Sequence, residues 1–216
     1  PKNAIAERNP SLMAMFLLAP WSNRIQDARF TFEGQERRLR PNTPEGFAIH
    51  GDVRRRPWQV LERSATRLSC EFQSRLFADF NFPWQVAARV DYSLEDSHAN
   101  AMFTATLALT NLERTPLPVG LGFHPYFPRT GGADDTRLKL VARSVYPPMP
   151  SGPTQPTPRE LEFTAGLAIG TRDVNHCFRD WDGRATIEDG ANALRVELEA
   201  DGTLDHVIVF TPPGQP

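Results

Sequence analysis

The sequence predicts an all-β protein, an antiparallel β-sandwich with very little helix. Three observations predict it. Long segments alternate apolar and polar residues with a period of two, turn-forming pairs separate those segments, and the 216 residues include 20 prolines and 14 glycines. Alternation of this kind marks strands with one face on a core and the other toward water or a polar cleft. Turn signals at short, regular spacing suit a sandwich of antiparallel sheets.

The elements follow in chain order. One short helical turn is expected near Ser11–Phe16. Phe30–Phe32 and Leu68–Phe72 read as short strands, the first closed by Glu33-Gly34. Val86, Ala88, Val90, Tyr92 and Leu94 share one face of a long strand, opposite Gln85, Arg89, Asp91 and Ser93. Glu95-Asp96-Ser97 should end it, with His98 in the solvated turn. Phe103, Ala105, Leu107 and Leu109 repeat the pattern against Thr104, Thr106 and Thr110. Arg129 to Asp135 reads as a turn and Leu138–Ala142 as a strand. Tyr146 to Pro158 hold six prolines in thirteen residues, which predicts an extended surface loop within the domain, because strand patterning resumes beyond it. Asp182-Gly183 and Asp189-Gly190 are turn signals. Leu194, Val196 and Leu198 mark another strand and His206–Phe210 a terminal one, in which His206 is structural. The whole, residues 1–216, is expected to form a single domain, since all-β folds of roughly 200–250 residues often do not divide.

Composition removes several function classes. The formal net charge is −2 and the pI about 6.3, so no basic field recruits nucleic acid. Cys70 and Cys177 lie far apart and match no metal-ligand or disulfide pattern. Cys70 alternates with Leu68 and Phe72 and reads as a buried thiol. No apolar run reaches the ~18 residues that suggest a membrane span. Arg54, Arg55 and Arg56 form the one run of three consecutive basic residues. It reads as a solvated loop or, alternatively, as contacts for a phosphate-bearing substrate.

The most informative segment is Gly120-Leu121-Gly122-Phe123-His124-Pro125-Tyr126-Phe127. It holds a histidine between aromatics at a strand end. The glycines permit close approach to the backbone, and the proline fixes the exit. A satisfied core histidine is the plain alternative. Three other stretches stand out: Trp21-Ser22-Asn23-Arg24-Ile25, Ala48-Ile49-His50-Gly51 and Val174-Asn175-His176-Cys177-Phe178. Asn23-Arg24 could be a strand-end turn with a surface arginine, and His50 a turn residue that tolerates unusual φ.

Together, in this order, the four stretches resemble the aldose 1-epimerase (galactose mutarotase) family from about Phe16 to Pro213. The resemblance implies a galactose mutarotase-like supersandwich that interconverts the α and β anomers of a free hexose such as galactose or glucose. It implies that His124 is the general acid, that His50 is the second active-site histidine, and that Asn23, Arg24 and Asn175 hold sugar hydroxyls. Asn175 stands where the family pattern commonly carries aspartate, so it can donate and accept hydrogen bonds but carries no charge.

The chemistry needs a proton delivered to the ring oxygen and another removed from the C1 hydroxyl, by an acid and a base on opposite sides of the sugar. Histidine suits the acid role because its ordinary pKa, about 6.5, lies near working pH. The family's base is a glutamate in an E-P motif soon after a Pro-Pro-Gly turn. This chain reaches Pro212-Pro213-Gly214 and ends at Pro216. The resemblance therefore implies that the glutamate and some strands at both ends lie outside this chain. It further implies no metal or cofactor, a small-molecule sugar as partner, no nucleic acid or membrane, a monomer or weak dimer, and a cytoplasmic setting. A hexose-6-phosphate epimerase using Arg54–Arg56, and a non-catalytic sugar-binding or sensing protein of the same fold, are the alternatives.

Overall fold

Period-two alternation becomes sheet along most of the chain. The structure, a computed structural model, describes residues 6–7, 9, 13–97, 100–129, 136–147, 153–170 and 172–212. His98, the turn over 130–135, residues 148–152 of the proline-rich segment and the Pro213-Gly214 turn lie outside the described residues. Helix among the described residues is confined to short pieces such as the 3₁₀ turn Val53–Arg55. The chain divides into two compact units, Pro1–Tyr126 and Phe127–Pro216, each with its own hydrophobic cluster.

The first unit contains β1 (Met15–Leu18), β2 (Arg24–Ile25), β3 (Arg29–Phe32), β4 (Gln35–Arg38), β5 (Ala48–Ile49), β6 (Gln59–Arg63), β7 (Arg67–Gln73), β8 (Val86–Ser97), β9 (Asn100–Asn111) and β10 (Gly122–Pro125). Strands β6-β7-β8-β9 form one antiparallel sheet, and β1–β10, β2–β5 and β3–β4 are antiparallel pairs. Along β8, Val86, Ala88 and Val90 are buried as the alternation requires, together with Cys70 and Phe72 of β7. Phe72, Phe80, Phe82, Trp84 and Trp21 supply most of the bulk of this core; each large apolar side chain contributes roughly 1.5–3 kcal/mol when fully buried. The β3–β4 hairpin turns on Glu33 and Gly34, both at positive φ, as a two-residue primed turn demands.

Two expectations are corrected here. Glu95-Asp96-Ser97 does not end β8 but forms its last paired residues, facing Met102, Ala101 and Asn100. Phe16 lies in β1 rather than in a helical turn. A four-residue apolar run such as Met15-Phe16-Leu17-Leu18 has no periodicity to separate helix from strand. Only its pairing with β10 decides.

The second unit contains β11 (Thr136–Val145), β12 (Gln155–Pro156), β13 (Leu167–Ala168), β14 (Val174–Asp189), β15 (Leu194–Glu199) and β16 (His206–Thr211). They form one antiparallel sheet in the order β12-β11-β14-β15, with β13 on β11 and β16 on β14. Its core comprises Leu138, Leu140, Val145, Phe163, Val174, Phe178 and Val209. Asp182-Gly183 proves to be part of a single sixteen-residue strand, not a turn between two. The signal is physical nonetheless: Asp180 and Gly183 have positive φ, and here β14 exchanges partners, from β16 at Val174–Arg179 to β15 at Arg184–Asp189. The proline-rich segment likewise carries a short strand, β12, against Ser144 and Val145.

Candidate active site

His124 is positioned by the β1–β10 pair. Its direct cross-strand partner is Phe16, while Leu17 faces Phe123. Because side chains alternate along a strand, Leu17 and Phe123 turn to the core cluster, and Phe16 and His124 share the other face. Their rings stack, with centroids 4.4 Å apart and planes 20° from parallel. Tyr126, two residues on, brings its ring to 4.7 Å from His124. Gly122 lets the strands close up, since a Cβ there would lie 3.1 Å from Leu18 Cδ1.

His50 reaches the same face from the turn after β5. Strand β5 pairs with β2, Arg24 opposite Ile49 and Ile25 opposite Ala48, and the ladder ends where the His50 amide donates to the Asn23 carbonyl at 2.9 Å. Asn42 clamps the neighbouring peptide, its side chain bonding both the amide and the carbonyl of Ile49. Asn23 and His50 both adopt left-handed backbone, with φ of 51° and 67°, a region in which Asn and His are enriched among non-glycine residues. Gly51 follows at φ 69° against the Ala19 peptide; a Cβ there would lie 1.9 Å from the Ala19 oxygen. No other residue fits.

The two imidazoles meet edge to face with centroids 5.2 Å apart, and the Phe16 ring lies 5.7 Å from that of His50. Nδ1 of each histidine is buried without a hydrogen-bond partner. The His50 pKa is driven down to about 3, first by burial and then by the charges of His124, Arg54 and Arg24. Burial also lowers that of His124; its own peptide carbonyl pulls the other way, and Arg54 lowers it further. Tyr126 is pushed up by burial, against the pull of Arg54.

Asn23 and Arg24 sit beside this pair, Arg24 donating to the Asn23 side-chain oxygen at 3.3 Å. Asn23 does occupy a strand-end turn and Arg24 is exposed, so the plain reading of this pair and its place beside His50 are compatible. Asn175 lies in the second unit, on the exposed face of β14 and opposite Phe210 of β16. His176 turns to the other face of that strand, its Nδ1 buried without a partner. His206 is exposed and bonds the Asp205 carboxylate and the Tyr146 hydroxyl.

The strand order, the paired histidines and the Asn-Arg turn all lie within a single match to the aldose 1-epimerase family, which covers residues 3–216. The chain belongs to that family. An Escherichia coli K12 protein named aldose 1-epimerase is 30% identical over 198 residues, covering 84% of this chain and 52% of that protein. YihR of the same organism, described as uncharacterized, is 30% identical over 195 residues, covering 86% of this chain and 61% of YihR. The chain thus spans between about half and three-fifths of the length of the curated relatives it matches. A galactose mutarotase-like protein from Clostridium acetobutylicum superposes with a TM-score of 0.81 at 19% identity, covering 96% of this chain and 68% of that one. That likeness shows the fold.

Within this aldose 1-epimerase family member, one site residue, Phe16, escapes sequence reasoning, and another, Arg54, enters it only as part of the basic run. Phe16 seats His124, and Arg54 holds its guanidinium 5.3 Å above the Phe16 ring. The arginine run is not a solvated loop throughout. Arg56 lies over Phe77 at 5.2 Å and forks onto Asp52 at 2.7 Å while bonding Asp79 at 2.7 Å. The only available signal was the run itself beside the His-Gly turn. Among the described residues, no three His, Cys, Asp or Glu side chains gather in a metal-holding arrangement.

Proposed function

We propose that this chain supplies the acid side of an aldose 1-epimerase site, interconverting the α and β anomers of an aldohexose such as galactose or glucose. His124 gives a proton to the ring oxygen as the C1–O5 bond breaks, and the C1 hydroxyl loses its proton to a base, leaving the open-chain aldehyde. Rotation about C1–C2 and reversal of both transfers close the opposite anomer. His50 hydrogen-bonds near the ring oxygen or C1, and Asn23, Arg24 and Asn175 hold hydroxyls. The base in this scheme is a carboxylate, the role that the family pattern gives to a glutamate.

The observation that supports this reading best is the histidine pair, two imidazoles 5.2 Å apart whose Nδ1 atoms are buried without partners. Buried polar atoms are almost always hydrogen-bonded, so two orphans on one aromatic-lined face suit hydroxyl and ring-oxygen contacts. Burial keeps both rings short of protons, and the proton His124 does take up is one it readily gives away. No cofactor enters the scheme. The protein would work in the cytoplasm, as a monomer or weak dimer, on a small-molecule sugar.

The test is anomer exchange with the full-length protein. Freshly dissolved α-D-galactose or α-D-glucose should approach equilibrium faster than in buffer, as followed by polarimetry. Sugar binding without acceleration would replace the enzyme with the sugar-binding alternative.

A further inference from the structure

Strand β16 of the second unit divides its side chains between two faces. Val209 and Thr211 are buried, whereas Ile208 and Phe210 keep 42% and 49% of their surface exposed. Two large apolar side chains left open at alternate positions of one strand form a patch, and such patches mark binding sites. On β14, Asn175 lies directly opposite Phe210 and Cys177 directly opposite Ile208. Direct partners in an antiparallel ladder share a face with Cβ atoms roughly 4.5–5.5 Å apart, and diagonal neighbours lie at roughly 7–8 Å. Asn175 therefore has Phe210 at its side and Ile208 one step away.

The amide of Asn175 is free to act. Asn42 spends both ends of its side chain on the Ile49 peptide, and Asn81 spends both of its own on Arg40. Asn175 is exposed and its side chain makes no hydrogen bond with the described residues. Its surroundings are neutral. The Cys177 thiol is pushed up to about 11, first by burial and then by Asp205, so it keeps its proton. Arg179 and its partner His206 come only four residues further along β14, roughly 13 Å away at 3.3 Å per residue. The two rows nearest Asn175 thus offer one unspent amide, an exposed ring and an exposed aliphatic side chain, with no charge.

We infer that Asn175 and Phe210 receive an acetamido group, so that the aldohexose is an N-acetylated amino sugar. An acetamido group joins a planar amide to a methyl, and this face offers a partner to each. Asn175 Nδ2 donates to the acetamido carbonyl, while the methyl rests on the ring of Phe210 and the side chain of Ile208, where burial of apolar surface is favourable. A bare hydroxyl would leave both apolar side chains in water, and a free amine would bring a charge that nothing in these two rows balances. A carboxylate at position 175 could only accept hydrogen bonds, so it would turn lone pairs toward the acetamido oxygen. The inference rests on the epimerase reading for the ring chemistry and for the place of Asn175 at the sugar. It narrows the aldohexose and gives Asn175 an acyl group to hold instead of a hydroxyl.

The experiment uses the full-length protein with two sugar pairs, glucose with N-acetylglucosamine and galactose with N-acetylgalactosamine. It measures anomer exchange by NMR and binding by calorimetry. In the pair that is turned over faster, the N-acetylated sugar should exceed its parent by at least about tenfold in kcat/KM. That is the low end of the roughly 10- to 200-fold that one methyl-sized group is worth in an apolar pocket. Asn175→Asp, a nearly isosteric change at an exposed position, should bring the ratio to about one or below, and Phe210→Ala should lower it in the same direction. Equal kcat/KM within both pairs overturns the inference and leaves the epimerase standing. A preference that survives in both variants overturns it too, because the acyl group then lies elsewhere. A lower Tm in Phe210→Ala with an unchanged ratio means that the rest of the protein covers the ring, which also overturns it. Binding of an N-acetylated sugar that is lost in Asn175→Asp, without exchange of any of the four sugars, sinks the epimerase reading and keeps the acetamido site.

Discussion

The imidazole of His124 lies almost parallel to the Phe16 ring, 4.4 Å from it, because the two residues face each other across the β1–β10 ladder. The stack fixes the plane in which His124 can present a proton. Replacing Phe16 by leucine keeps most of the buried volume, a kind of change that usually costs under ~1.5 kcal/mol, but abolishes the ring. Phe16→Leu should melt within a few degrees of wild type and lose up to about 10²-fold in kcat, the scale of an ångström-sized misplacement. Normal kcat in a normally folded variant would show that the stack does not orient the acid.

Gly51 tests the backbone beneath the site. Gly51→Ala would drive a Cβ to 1.9 Å from the Ala19 oxygen at a φ of 69°. Left-handed strain of about 1–3 kcal/mol adds to overpacking of a similar size. A drop in Tm of roughly 4–24 °C is expected, at 2–4 °C per kcal/mol for a chain this long. An unchanged melting curve contradicts the close approach of Gly51 to Ala19.

His50 should make stability pH-dependent. Its folded pKa is about 3 against an ordinary 6.5, so below pH 6.5 the unfolded chain takes up a proton that the folded one refuses. Its contribution is complete above pH 6.5 and is lost as pH falls toward 3, by up to ~1.4 kcal/mol per pH unit. His50→Asn, which tolerates the same positive φ, should flatten urea-derived stability between pH 6.5 and 4. An identical slope in the variant rules out a buried neutral His50.

Much of this architecture was legible in the residues. Alternation along β8 and β15 located strands because one face meets a core, and Phe123-His124-Pro125 announced a strand end. What stayed hidden depends on distant partners. Phe16 sits in a uniformly apolar run whose partner strand lies near the other end of its unit. Arg54 and Arg56 look solvated until Phe16, Phe77 and Asp79 arrive from elsewhere in the chain. Strand β14 runs through a turn signal at Asp182-Gly183 because its two halves pair with different strands, a non-local fact. The left-handed His50 was foreshadowed by the glycine after it, but its approach to His124 was not.

Arg54 should set the acidity of the pair, since its charge lowers the pKa of both His50 and His124. If protonated His124 is the acid, kcat/KM rises as pH falls below 7 and levels off at a midpoint below 6.5. Arg54→Gln removes a positive charge facing His124, along with His50 and Tyr126, so the midpoint should move up toward 6.5. A midpoint that stays put or moves down contradicts electrostatic control by Arg54.

His124 itself carries the central claim, and one paired measurement addresses it. In the full-length protein, His124→Asn keeps a hydrogen-bonding side chain of similar reach but removes the proton donor, an effect typically worth about 10²- to 10⁴-fold. Polarimetry of anomer interconversion, run beside a thermal melt, should show kcat reduced by that factor with KM and Tm changed far less. A variant that melts normally and turns over at the wild-type rate would mean that His124 is not the acid.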